Sequence, residues 1–181
     1  MKFWKHFKTI TKHRLLVMDG CFRVGLYWQG LTHDLSKYSP TEFLIGAKFY
    51  QGTRSPNNAE RELKGYSEAW MHHKGRNRHH YEYWTDVSTV TNQYESLPMP
   101  RKFLVEMVMD RRAACMTYEG ERYTDGSALR YLMRSIERNR LHPQTRQELE
   151  FLLGMLQDRG EKETFSYIKN HVLRGKPFPW E

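Results

Sequence analysis

Several features are missing from this 181-residue sequence, and each absence excludes a class of protein. No apolar run approaches the ~20 residues that span a bilayer, so no transmembrane helix and no membrane partner is expected. The basic, aromatic N-terminus lacks an uninterrupted apolar stretch and does not read as a signal peptide. Cysteine is scarce. Cys21 and Cys115 lie far apart and follow no CxxC spacing. Both sit in apolar helical surroundings, which argues for free buried thiols and a cytoplasmic location. Internal repeats, low-complexity tracts and a convincing series of strands are also missing.

What remains is a globular composition, 39% apolar and 14% aromatic, in a chain long enough to bury a core without staples. The net charge of +8 favours polyanionic partners: nucleotides, nucleic acids or other phosphates. Charge of that sign identifies a class of partner and not a reaction.

Helical periodicity dominates, and the fold class reads as all-α. A first helix is expected from Thr9 to Gln29, with Ile10, His13, Val17, Cys21, Val24 and Trp28 on its inner face and Gly30 as its stop. Ser39-Pro40-Thr41-Glu42 has the form of a helix start, with Ser39 as cap and Glu42 reaching back to it. A loop over 51–58 precedes a third helix from Ala59 to His73, whose inner face reads Ala59, Leu63, Tyr66, Trp70 and His73. A fourth spans 100–118 and places Phe103, Met107, Asp110, Ala114 and Thr117 on one face. Segments 128–139, 143–158 and 161–173 close the chain. Their inner positions include Leu132, Ile136, Leu149, Leu152, Leu156, Phe165 and Ile168. An extended tail follows. Residues 1–125 are expected to form a metal-binding helical domain, with 126–181 as a helical extension on the same core.

Three helices present polar residues where the period calls for apolar ones: His13, His73 and Asp110. His33-Asp34 lies at one helix junction and His79-His80 at another. Burying such groups singly and unpaired costs several kcal/mol each on an order-of-magnitude scale. A shared cation would relieve all of them at once. Imidazole and carboxylate together suit a divalent transition metal (Mn, Fe, Co, Ni or Zn), as one or two ions. Asp34, with two oxygens, is the natural bridge, and Lys37 could meet a phosphate oxygen as a point charge. Periodicity favours His73 over His72; nothing comparable separates His79 from His80. Arg76 and Arg78 flank the histidines as candidate phosphate ligands.

The order His13, His33-Asp34, Asp110, with helices between, resembles the HD-domain superfamily of metal-dependent phosphohydrolases. His33-Asp34-Leu35-Ser36-Lys37 is similar to that superfamily's His-Asp-x-Gly-Lys, with Ser36 in place of the usual glycine. The runs His33 to Phe43 and His72 to Trp84 resemble a narrower HD-like family of bacteria and phages. The resemblance covers residues 10–120. It implies an all-helical bundle in which His13, His33, Asp34 and Asp110 hold one metal. His73 with His79 or His80, bridged by Asp34, would hold a second. It further implies hydrolysis of a nucleotide or similar phosphate ester, with Asp34 and Lys37 in catalytic roles; Lys37, and by their place beside the histidines Arg76 and Arg78, would meet the substrate. The alternative is a non-catalytic metal-containing module that binds nucleic acid or a nucleotide.

Overall fold

The computed structural model describes residues 2–181, apart from the side chains of Ile136 and Glu137. The expected inward position Ile136 therefore lies outside the described residues. Helix accounts for 70% of the chain, and the strands among the described residues are one three-residue pair, so the fold is all-α. That pair, β1 (Thr85–Val87) and β2 (Tyr94–Ser96), is antiparallel, with Thr85 opposite Ser96. The sequence pattern over 85–99 gave no sign of it.

The first helix, α1, runs from Lys2 to Val24 and not from Thr9 to Gln29. It ends at Gly25, whose φ of +90° suits a residue without a Cβ. The Gly25 N–H donates to Phe22 O at 3.1 Å and the Leu26 N–H to Cys21 O at 2.8 Å, the paired bonds of a Schellman stop. A short α2 follows, from Tyr27 to Thr32. Gly30 is inside it rather than beyond it. A Cβ there would meet the Phe22 ring at 3.0 Å and Cys21 Cβ at 3.1 Å, so glycine lets α2 fold back against α1. Trp28, expected inside, consequently points out and is 72% exposed.

α3 (Pro40–Phe49) begins as expected: the Glu42 N–H donates to Ser39 Oγ, and Pro40 occupies the first turn. The expected third helix is two, α4 (Pro56–Lys64) and α5 (Glu68–Lys74), broken at Gly65. Ser67 caps α5 by accepting from the Trp70 N–H and donates its own hydroxyl to buried Glu60. The break resets the register. Leu63 and Tyr66 are exposed, contrary to expectation, while His73 is buried. α6 spans Arg101–Glu119 and α7 Ser127–Arg134. α8, Pro143–Asn170, joins two expected segments across a kink at Gly160. The tail is not simply extended: Phe178 is buried and stacks on Trp180.

One apolar core joins these elements. Val17 and Cys21 of α1 meet Leu104, Val105 and Val108 of α6, Leu132 of α7, and Leu149, Leu152, Leu153 and Ile168 of α8. Each such side chain contributes roughly 1.5–3 kcal/mol by leaving water. The core runs across residue 126 without a seam, so the C-terminal helices complete it. Both cysteines are free and buried. Among the described residues no helix is long and apolar enough to cross a membrane.

Candidate metal centre

The fold-back of α2 carries His33 and Asp34 to the inner face of α1, opposite His13. Asp34 sits in the left-handed region, φ +54°, a conformation that aspartate tolerates better than most residues. The chain then turns through a short 3-10 helix, Leu35–Tyr38, into the α3 cap. α5 brings in His73, the stretch after it brings in His79 and His80, and α6 brings in Asp110.

The other six of these side chains converge on the Asp34 carboxylate. His13 Nε2 is 3.0 Å from Asp110 Oδ1 and 3.6 Å from Asp34 Oδ2. His33 Nε2 is 3.3 Å from Asp34 Oδ2 and 3.5 Å from Asp110 Oδ1. On the other side of the same carboxylate, His73 Nε2 and His79 Nε2 lie 3.2 and 3.5 Å from Asp34 Oδ1. Two sets built on Asp34 are thereby placed to hold an ion, His13, His33, Asp34 and Asp110, and Asp34, His73, His79 and His80, beside a third group of His33, His79 and Glu106. Asp34 belongs to both. His79 and His80 join the second set together, which periodicity could not decide. His72 is outside it.

The unsatisfied atoms form the same pattern. His13, His33, His73, His79 and His80 each bury Nε2 without a hydrogen-bond partner, and so does Asp34 with Oδ1. Leaving one buried polar group unpaired costs ~1–3 kcal/mol, and here at least six point toward one another. A metal ion satisfies such atoms collectively, so these residues fit one.

On three of these rings the opposite nitrogen meets a carboxylate. His33 Nδ1 lies 2.9 Å and His79 Nδ1 3.1 Å from Glu106 Oε1. His73 Nδ1 lies 2.8 Å and His72 Nδ1 2.6 Å from the Glu42 carboxylate. Burial works against both carboxylate charges, but hydrogen bonds from these rings, with Ser36 adding one to Glu42, hold both below the usual range. An ionised carboxylate only accepts, so the ring Nδ1–H donates, and Nε2 of His33, His73 and His79 is the atom turned to the centre. Glu42 is therefore not the cap-reaching group expected of it. Ser36, in the glycine position, accepts from Asn77 Nδ2 at 2.9 Å, and Asn77 also holds His73 O at 2.8 Å. The serine ties the His33-Asp34 turn to α5.

The field at the centre is negative. Burial opposes the Asp34 charge, yet His33, Lys37 and His73 hold its carboxyl well below the usual range. Burial pulls His33 down, but Asp34, Asp110 and Glu106 raise it well above its ordinary value. His80 is pushed the other way, by burial and by its neighbours His79 and His73.

A cavity of about 440 Å³ opens beside the cluster. His13, His73, His80 and Asp110 reach its wall, while His33, Asp34 and His79 lie behind them. Lys37 is at the wall too, with Nζ 2.5 Å from Asp34 Oδ2. Arg76 and Arg78 are not. Arg76 donates to His72 O, and Arg78 lies over the Tyr83 and Phe103 rings. The arginines that do line the cavity are Arg54, Arg111 and Arg122. His6, on α1, is buried and also lines it.

A family of unknown function (DUF5662) matches residues 2–155. The chain belongs to that family. The DUF5662 match takes in every candidate ligand and extends past residue 126 into α8, as the shared core does. No curated protein and no solved structure matches the chain.

Glu106 is the main residue that sequence reasoning missed. Its signal was available: it precedes Asp110 by four residues on α6, so the two share a face. Glu42 and Ser36 were noticed but given other roles. Their connection to His73 depends on the approach of α3 to α5, which no local pattern encodes.

Proposed function

We propose that this chain is an HD-type, metal-dependent phosphohydrolase acting on a nucleotide or similar phosphate ester. One observation carries the reading: five unpartnered imidazole Nε2 atoms converge on the Asp34 carboxylate at the wall of a cavity. His13, His33, Asp34 and Asp110 would hold one ion, and Asp34, His73, His79 and His80 a second. Divalent ions of the Mn, Fe, Co, Ni or Zn kind would supply Lewis acidity here and bring the pKa of water near neutrality.

The chain's own groups do the rest. Glu106 and Glu42 fix three of the imidazoles by their Nδ1–H groups, so those rings keep one orientation as charge changes before them. Lys37 stands between Asp34 and the cavity. Asp34 and Asp110 hold it protonated despite burial, so it can neutralise an entering phosphoryl oxygen. Four ligand side chains face the cavity and three are sealed behind them, which leaves an open side for substrate, as catalytic sites have and structural sites lack.

Elemental analysis of the purified protein, coupled to a phosphatase screen over nucleotides and phosphodiesters, tests the proposal. Bound transition metal and turnover that Asp34→Ala abolishes are expected. A folded protein that takes up no metal and hydrolyses none of these esters would sink it. Stoichiometric metal without turnover, together with a salt-sensitive nucleic-acid shift, would favour the non-catalytic binding module.

A further inference from the structure

The outer face of α1 has no part in the site or the core, yet it is organised. Trp4, Phe7, Thr11, Leu15, Met18 and Phe22 succeed one another at intervals of three or four residues, the spacing of a single helical stripe. Their opposite numbers His6, Ile10, His13, Val17 and Cys21 are buried. The stripe is partly open to water: Trp4 is 58% and Leu15 49% exposed, while Phe7 also meets the Tyr38 and Phe43 rings and Thr11 bonds the Tyr38 hydroxyl. Leu31, whose carbonyl accepts from Arg14, continues it onto α2 at 49%. A shallow hollow runs along it, walled alternately by Phe7 and Leu15 and by Lys8 and Lys12. Residues 2–18 contain no acidic side chain but hold Lys2, Lys5, Lys8, Lys12 and Arg14.

We propose that this face is a docking surface for an anionic lipid bilayer, with α1 lying in the plane of the headgroups. Apolar and aromatic side chains flanked by lysines fit that interface: the rings and leucines enter the acyl boundary and the ammonium groups meet lipid phosphates. Crossing a bilayer needs a long apolar run, which is missing; lying on one needs only a face. A second copy of the chain fits less well. Either a parallel or an antiparallel pairing of the stripes brings Lys12 and Arg14 of one copy against the same charges of the other. Nucleic acid would take the lysines but leave Leu15, Met18 and Leu31 in water, since aliphatic side chains offer no ring for a base. This inference stands on the outer face alone, independently of the metal reading.

Sedimentation of the full chain with unilamellar vesicles tests it. Binding to vesicles containing phosphatidylglycerol is expected, with little binding to phosphatidylcholine alone and release by salt. The pair Trp4→Gln and Leu15→Gln, and the pair Lys8→Glu and Lys12→Glu, should each lower the vesicle partition coefficient roughly tenfold or more. Unchanged circular dichroism would show that both variants keep their fold. Absence of binding to anionic vesicles, or binding that survives both pairs of substitutions, overturns the proposal. So does a dimer that the Gln pair dissociates while vesicles stay bare, or an RNA shift that only the Glu pair abolishes.

Discussion

On the α8 side of the molecule, Leu149, Leu152, Leu153 and Ile168 are wholly buried, and their side chains have no polar atom to satisfy. On the α5 side, His33, Asp34 and His79 are just as deep, each 1% exposed, and ring nitrogens and a carboxylate oxygen there face one another without hydrogen bonds. The two regions share α1 and α6 and differ in what completes them. Burial itself stabilises the first. The second is held by carboxylates behind the rings, and its inner atoms are grouped as they would be to hold an ion. If the proposed metal is bound, the apolar half folds as it stands, whereas the polar half is completed by the ion.

Substitution at the centre of each half should separate them most sharply. Asp34→Ala removes the side chain shared by both ligand sets, so metal content by elemental analysis should fall to background. Leu153→Ala should destabilise by ~2–5 kcal/mol in denaturant unfolding, yet keep its metal. Metal loss in Leu153→Ala under conditions where it remains folded would show that the two halves are not separable.

Chelation probes the same contrast without substitution. A ligand present at ~1,000 times its Kd stabilises by ~4 kcal/mol, so stripping the metal should lower Tm by roughly 10 °C in a chain of this length. Calorimetry with and without chelator measures it. An unchanged Tm would mean that the polar half is complete without an ion.

Much of the polar half was legible because burial of a charged residue breaks a helical pattern visibly. His13, His73 and Asp110 each fall on an apolar stripe, and the structure brings all three to Asp34. The failures are equally physical. Gly30 has the look of a helix stop, but its small size serves a close crossing, and Gly25 makes the turn. A face drawn continuously from Ala59 to His73 put Leu63 and Tyr66 inside because Gly65 and Ser67, an available stop and start, were not allowed to reset the register. Arg76 and Arg78 neighbour the histidines in sequence and miss the cavity, while Arg54, Arg111 and Arg122 reach it from other elements. Contacts made between elements, such as Glu42 with His73, have no local signature.

Glu106 allows a finer cut within the polar half. It meets His33 and His79, one from each ligand set, so Glu106→Gln disturbs both without deleting a ligand. Metal affinity should fall roughly 10- to 100-fold, with Asp34→Ala as the more severe limit. Competition with a metallochromic chelator measures it. An unaltered affinity would remove Glu106 from the support of the centre.

The smallest effect expected is at a place where the apolar half carries a buried charge of its own. Arg112, 4% exposed, is buried beside the core and pairs with Glu161, which also accepts from Arg23 at 2.6 Å. Here the chain supplies its own counter-charge. Burial disfavours the Glu161 charge, but Arg23 and Arg112 hold its carboxyl below the ordinary 4.5. A depressed carboxyl contributes stability that is fully present above the unfolded value and is lost as pH falls through the folded one. Glu161→Gln should thus be less stable than wild type by ~1 kcal/mol at neutral pH. The gap should begin to narrow as pH drops below about 4.5 and close as pH falls through the lower, folded value. Urea unfolding of both proteins across that range reads the difference, in which the titrations of the shared metal-site groups cancel. A gap that stayed constant to low pH would show that the pair acts through packing and not through charge, and the contrast with the candidate metal centre would lose its internal control.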